Sequence, residues 1–144
     1  MIDLDSEFER ACSKPHEGAA FDALSQRDKI LIAIWGLEAD VNNGGFDQYY
    51  FNGAGDQAFF AADALEEIGA QNMAAIVREA NQKCGANGPA RDRTTRQEQL
   101  VRLTASDEGL FDSLDRRFYD YPDDISALLT VFLEAAGAGD GEST

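Results

Sequence analysis

The sequence predicts an all-α fold, a compact single-domain bundle of about six to eight helices. Apolar residues recur at the 3.6-residue period of a helix, and no segment alternates with the period of two that marks a strand. With 144 residues, of which 44% are hydrophobic, the chain has the length and composition of one globular domain. We expect this acidic domain to span residues 1–136 and the glycine-rich residues 137–144 to form a flexible tail.

The first strong helical segment begins at Ser25, in a sequence that resembles a capping box. It is apolar on most of its sides, so we place it at the centre of the fold. Its glycine-containing end, at residues 42–45, predicts a turn in which Gly44 or Gly45 has a positive φ. A short aromatic helix follows and ends near Asn52. An aromatic cluster is expected near the core, and its members are Trp35, Phe46, Tyr49, Tyr50 and Phe51.

Five further helical segments follow in the sequence. The first covers residues 56–68, and the second carries a stripe made of Met73, Ile76, Val77, Ala80 and Cys84. Thr95 and Glu98 predict the start of the third, and residues 106–108 that of the fourth. Pro122 suits the first turn of the last helix, where Asp123 and Asp124 would oppose its dipole favourably.

The formal net charge of -15 and the isoelectric point near 4.2 limit the classes of partner. Direct binding to nucleic acid or to an anionic membrane needs a basic surface, so we expect neither. A partner is expected to be basic. Residues 78–102 form an exception, with six basic and three acidic side chains. These cations either pair with the protein's own acidic surface or form a self-association contact.

We expect no segment that directs the chain to a membrane or out of the cell. The N-terminus lacks the basic and apolar regions of a secretory signal, and the longest apolar run, residues 30–37, is too short to span a bilayer. Cys12 and Cys84 are far apart and are expected to be reduced thiols. We therefore expect a cytoplasmic protein.

Signatures of catalysis and metal binding are absent from the sequence. It contains no nucleophile elbow, phosphate-binding loop or zinc-protease motif, and the one histidine is His16. Asp40, Asn42 and the following glycines approach a calcium-loop pattern, but its twelfth position is Phe51 instead of a bidentate glutamate. We expect no enzyme activity, no cofactor and no tightly bound metal.

One segment is distinctive: Asn42-Asn43-Gly44-Gly45-Phe46-Asp47-Gln48-Tyr49-Tyr50-Phe51-Asn52, followed by Gly55. It resembles the signature of a bacterial DNA-mimic protein family, the DMP-like domain, long catalogued as a domain of unknown function. The resemblance covers about residues 25–135 and implies an all-helical fold. For at least part of the family it also implies an acidic homodimer that occupies the DNA-binding surface of a transcription regulator. The motif itself is expected to be structural.

The net charge of -15 is about two-thirds of the phosphate charge on a comparable length of DNA, so mimicry would need two helices side by side or two subunits. A compact domain of this length is roughly 37 Å across, and 37 Å of duplex carries about 22 phosphate charges. Carboxylates at helical spacing would imitate them. The candidate partner-binding residues are Asp56, Asp63, Glu66 and Glu67 on one helix, and Glu108, Asp112 and Asp115 on another. The expected partner is a basic DNA-binding protein such as a helix-turn-helix regulator.

A second interpretation gives the acidity no role in recognition. Aspartate outnumbers glutamate, arginine outnumbers lysine, and alanine and glycine abound. This composition is typical of a salt-adapted or GC-rich proteome, in which acidic surfaces serve solubility. The protein would then be a non-mimic inhibitor or immunity-type interaction protein.

Overall fold

A computed structural model describes residues 2–15 and 19–136 of the chain. Within these residues the protein forms eight α-helices, one 3-10 helix and no strand, which confirms the predicted all-α class. The helices are α1 (Leu4–Cys12), α2 (Ala19–Asp22), α3 (Gln26–Phe51), α4 (Ala58–Glu67), α5 (Gln71–Lys83), α6 (Arg93–Ser106), α7 (Asp112–Tyr119) and α8 (Ile125–Ala136), with the 3-10 helix at Gly53–Gln57. His16 and the predicted tail at residues 137–144 lie outside the described residues.

The long helix α3 is the centre of the fold, as predicted. It packs against α1, α4, α6, α7, α8 and the 3-10 helix. Because it is surrounded by helices, it buries apolar side chains on several of its faces, among them Ile30, Leu31, Ile34, Leu37 and Val41. The hydroxyl oxygen of Ser25 accepts the N–H of Asp28 at 3.2 Å, which confirms the predicted start of this helix.

Ion pairs to a buried carboxylate attach α1 and the residues after it to the start of α3. The side chain of Asp28 is fully buried and contacts Arg10 at 2.8 Å and Lys14 at 3.0 Å. Burial alone would raise the pKa of Asp28, but the hydrogen bonds from these two cations more than offset it, and the pKa lies below its ordinary value. Trp35 is half-buried and stacks on Phe8 of α1 with ring centroids 4.1 Å apart.

The predicted start of α6 was wrong by three residues, nearly one helical turn. Asp92 is the N-cap residue and accepts the N–H of Thr95 at 2.9 Å, so Thr95 lies inside the helix that it was expected to begin. The predicted helix over residues 56–68 is likewise divided into the 3-10 helix and α4.

The last two helices also begin later than predicted. Ser106 ends α6, and α7 begins only at Asp112. Pro122 lies before α8 and not in its first turn. Asp124 caps the start of α8, because its carboxylate accepts the N–H of Ala127 at 3.1 Å. Asp123, unlike Asp124, does not cap α8. It accepts the N–H of Met73 at 2.8 Å and so caps the start of α5 from a distant part of the chain.

The predicted core is mostly confirmed. The α5 stripe is buried from Met73 to Cys84, and Phe46, Tyr49 and Tyr50 are inaccessible to solvent. Phe51 was assigned wrongly, because 49% of it is exposed. No helix in the described part of the chain is long and apolar enough to cross a membrane.

Candidate functional site

The distinctive motif forms a kink in α3. Gly44 has φ -151° and ψ 18°, and Gly45 has φ 76° and ψ -174°. The second combination is accessible almost only to glycine, so the predicted positive φ is confirmed at Gly45. The kink separates the core helix from the aromatic segment. It also exposes the N–H of Phe46, which donates to Oδ1 of Asp115 on α7 at 2.9 Å.

A side-chain network spans the kink. Asp40 accepts hydrogen bonds from Gln48 at 3.0 Å and from Asn52 at 3.2 Å. Asn43 donates to the carbonyl oxygen of the Gln48 side chain at 2.9 Å. These amides therefore bond to one another and to Asp40 across the bend, which is a structural role.

Two tyrosines hold the end of α7 against α3. Tyr119 donates its hydroxyl to the carbonyl of Val41 at 2.9 Å. The hydroxyl of Tyr121 donates to Glu38 at 2.7 Å and accepts from Asn42 at 2.8 Å. Tyr121 has a φ of 47°, an uncommon value for a residue with a side chain, and these two bonds help to hold it there.

Asp47, Asp112 and Asp115 form an acidic cluster beside the kink. The pKa of Asp47 is raised by burial and then by the charge of Asp112. Burial also raises the pKa of Asp115, and Asp47 and Asp112 raise it further, against the lowering effects of the Phe46 N–H and Arg116. Among residues 2–15 and 19–136, no ion pair neutralises any member of this acidic cluster.

The candidate carboxylates of the 3-10 helix and α4 have different surroundings. Asp63 and Glu66 are exposed, but both pair with Arg78 of α5, at 2.9 and 2.7 Å. Asp56 is half-buried between two arginines of α6. Glu67 is exposed. The structure therefore places cations against three of the four residues of this set.

The candidate carboxylates at the start of α7 are more open. Glu108 was predicted on the same helix as Asp112 and Asp115, but it lies in the turn before α7. Glu108 and Asp112 are exposed, whereas Asp115 is half-buried and bonds to the α3 backbone. Helix α5 packs against both α4 and α7, and Arg117 of α7 reaches Glu79 of α5 at 2.9 Å.

Arg96 is a buried cation whose structural role no sequence pattern predicted. Its Nε donates to the carbonyl of Tyr50 at 2.6 Å, and its Nη2 donates to Asn52 at 2.8 Å and to Asp56 at 2.9 Å. Its Nη1 reaches the carbonyls of residues 90 and 91. One guanidinium thus fastens the loop before α6 to the end of α3.

Both interpretations of the basic segment, residues 78–102, retain support. Arg78, Arg93 and Arg96 pair with the protein's own carboxylates. The remaining cations of the segment are exposed and form no ion pair within the described residues; they are Lys83, Arg91 and Arg102.

The outward position of Asp47 and Phe51 was not inferred from the sequence. They are four residues apart, on the side of the helix opposite the buried Phe46, Tyr49 and Tyr50. Helical spacing alone could have separated these two faces. Within the described chain, no group of three or more histidine, cysteine or carboxylate side chains is arranged to hold a metal ion.

Comparison with known proteins identifies a family. A family model described as DMP19-like protein matches residues 22–136, well over half of the chain. The match includes the kink, the acidic cluster and the candidate carboxylates on α4 and α7. No curated protein and no solved structure matches the chain.

Proposed function

The chain belongs to the family of DMP19-like proteins, and we propose that it is an acidic protein-interaction module that acts as a DNA mimic. It occupies the DNA-binding surface of a basic protein such as a helix-turn-helix transcription regulator, in the cytoplasm and without enzyme activity. Family membership is consistent with a DNA-mimic type of protein. The partner and the contact surface are inferred from charge and geometry.

The observation that carries this proposal is the acidic cluster of Asp47, Asp112 and Asp115. Carboxylates that repel one another and form no ion pair within the described residues are stabilised when a cation approaches. A surface evolved to bind phosphates supplies such cations as lysine and arginine. We therefore propose that the main contact lies on the α7 side, and includes the exposed Glu108 and Asp112.

The α4 side is the second part of the proposed contact. Arg78 already pairs with Asp63 and Glu66. A partner cation is therefore attracted less strongly to these two carboxylates. Asp56 and Asp115 contribute charge, but both are also engaged inside the protein. Their substitution would disturb the fold together with binding, and neither is used in the test below.

The test compares two variants that remove the same number of charges. One is Asp47→Asn/Glu108→Gln/Asp112→Asn, and the other is Asp63→Asn/Glu66→Gln/Glu67→Gln. A regulator is first captured on immobilised protein at low salt, eluted at high salt and identified. Its affinity for both variants is then measured across salt, with duplex DNA as competitor.

We expect the wild-type affinity to fall steeply with salt, because exposed charges are screened beyond about 8–10 Å. DNA should displace the protein from the regulator, and the α7-side variant should bind more weakly than the α4-side variant. Simultaneous binding of DNA and protein would refute mimicry for that regulator. Equal weakening by both variants would show that only net charge matters.

A non-mimic inhibitor or immunity-type protein is the second candidate function. The exposed apolar side chains of Phe51 and Val101 favour it, because such interfaces depend on a few apolar anchors instead of many spread charges. This alternative predicts a shallow salt dependence and no competition with DNA. Self-association through residues 78–102 would be detected separately, as a homodimer in a sedimentation measurement.

A further inference from the structure

Phe51 and Val101 form an exposed apolar ridge where the end of α3 meets α6. Phe51 is 49% exposed and Val101 61%. A shallow groove runs along one side of the ridge, and we call it the Phe51 groove. It is lined by Gly44, Asp47, Gln48 and Phe51 of α3 and by Leu100, Val101 and Thr104 of α6.

The ridge is held in place by polar contacts at its edges. Gln97 of α6 donates to the carbonyl of Phe51 at 2.8 Å. Thr104 turns its hydroxyl to the carbonyl of Leu100 at 2.9 Å, so it lines the groove without offering a free donor. Gln48 is engaged by Asn43 and Asp40. The groove thus presents a preformed apolar surface, with Asp47 as its charged member.

The structural role of the motif does not account for Asp47 and Phe51. The other motif side chains bond across the kink, hold Tyr121 or fill the core. The side chain of Asp47 forms no hydrogen bond or ion pair in the described part of the chain, and the side chain of Phe51 points away from the core. Both line the same groove.

The charge around the Phe51 groove indicates which kind of partner it can bind. No lysine or arginine lines it, and Asp112 lies close enough to Asp47 to raise its pKa. The groove ends near the C-terminus of α6, where the helix dipole is negative and the exposed Asp107 and Glu108 follow. Glu98 and Arg102 line the other side of the ridge. A second copy docked symmetrically through the Phe51 groove itself would bring the same acidic residues together, which like-charge repulsion opposes.

We propose that the Phe51 groove binds an amphipathic helix of a partner protein, whose apolar side chains cover Phe51 and Val101 while flanking lysines or arginines meet Asp47 and the neighbouring carboxylates. Burial of the apolar ridge supplies an attraction that salt does not screen. The inference deepens the proposed function and rests on it, because it names the partner element that engages the α7-side surface.

The test uses the full chain and two synthetic peptides. One is a helix-forming peptide with a leucine stripe on one face and lysines on the other. The second has the same charge and length, with serine in place of each leucine. Binding is measured by calorimetry, and contacts are mapped by backbone amide chemical shifts.

The two variants differ only in which exposed valine they change. Val101→Ser alters the ridge, and Val131→Ser alters an equally exposed valine on α8, which is 64% accessible and does not line the groove. We expect the leucine peptide to bind the wild type and the Val131→Ser variant alike. Val101→Ser should weaken its binding at least about fivefold, and the serine peptide should bind weakly to all three proteins.

Three results would overturn the proposal: equal binding of both peptides, equal effects of the two valine substitutions, or a wild-type dimer that Val101→Ser dissociates. The α7-side triple variant separates this inference from the proposed function. If it abolishes regulator binding while Val101→Ser leaves it unchanged, mimicry stands and the groove proposal fails. If Val101→Ser abolishes binding and the triple variant has no effect, the proposed mimicry fails and the apolar site remains.

Discussion

The backbone N–H of Phe46 donates a hydrogen bond to the carboxylate of Asp115 across 2.9 Å, and this bond joins the kink of α3 to α7. The break at Gly44 and Gly45 leaves the first N–H groups of the aromatic segment without acceptors in the preceding turn. Asp115 supplies one such acceptor. The same carboxylate belongs to the acidic cluster, so fold and surface charge are coupled at this residue.

Replacement of Asp115 separates these two roles. Asp115→Ala should lower the free energy of unfolding by about 1–3 kcal/mol, because the Phe46 N–H loses its acceptor. Asp115→Asn keeps an oxygen at the same place and removes a charge that Asp47 and Asp112 repel, so it should cost much less. Urea denaturation of both variants checks this, and equal losses would contradict it.

The Asp115→Asn variant also tests a pH dependence. Folding raises the pKa of Asp115. The stability that this raised pKa contributes is complete below the ordinary aspartate value of about 3.9 and is lost as the pH rises through the folded-state pKa. An asparagine at this position does not ionise, so the variant does not lose stability in this way as the pH rises. Its stability relative to the wild type should therefore improve between about pH 4 and pH 7, and a constant difference would mean that the pKa is not raised.

Gly45 should be the least replaceable residue of the kink. An added Cβ would lie 2.6 Å from Oδ2 of Asp115, and the φ and ψ of Gly45 belong to a region that costs other residues about 1–3 kcal/mol. Gly69→Ala is the control, because Gly69 has a positive φ of 94° but its nearest neighbour, Leu128, is 3.8 Å away. Thermal denaturation should show a larger loss for Gly45→Ala than for Gly69→Ala. Comparable losses would mean that Asp115 moves aside.

The helical period alone predicted the positions that α3 and α5 bury, since apolar residues at that spacing must face a core. Helix starts were less predictable because several residues could cap the same helix. Asp92, Thr94 and Thr95 are all capping types, and only the fold selects Asp92. The cap that Asp123 supplies to Met73 joins residues 50 positions apart, so no local pattern contains it.

Helix spacing predicted which candidate carboxylates share a helix face, but not which residues of other helices contact them. The sequence placed Asp63 and Glu66 on one helix face, but their partner Arg78 comes from the next helix. The burial of Arg96 against the carbonyl of Tyr50 depends on how α6 packs on the end of α3. Tertiary contacts of this kind determine which carboxylates remain uncompensated.

The thiol of Cys84 should resist chemical modification in the native protein. It is buried, and burial raises its pKa to about 12, so the reactive thiolate is scarce near neutral pH. Cys12 is half-buried, and burial raises its pKa as well. At pH 8, peptide mapping after iodoacetamide treatment should show slow labelling of Cys12 and protection of Cys84 until urea unfolds the chain. Rapid native labelling of Cys84 would contradict the packing of α5.

Arg96 should contribute far more stability than Arg93, although both contact Asp56. Arg96 is buried and donates to four backbone carbonyls, whereas the Arg93 pair is long, at 3.3 Å, and exposed to solvent. Arg96→Ala should cost about 3–5 kcal/mol, because it leaves buried acceptors without a donor. Arg93→Ala should cost less than about 1 kcal/mol.

An Arg96→Lys variant identifies the source of that stability. Lysine keeps the charge near Asp56 but cannot reproduce the planar fork that reaches Tyr50, Asn52 and the loop before α6 together. If hydrogen-bond geometry dominates, urea denaturation should show that lysine recovers only a small part of the loss caused by alanine. Full recovery by lysine would mean that charge compensation of Asp56 is what Arg96 provides.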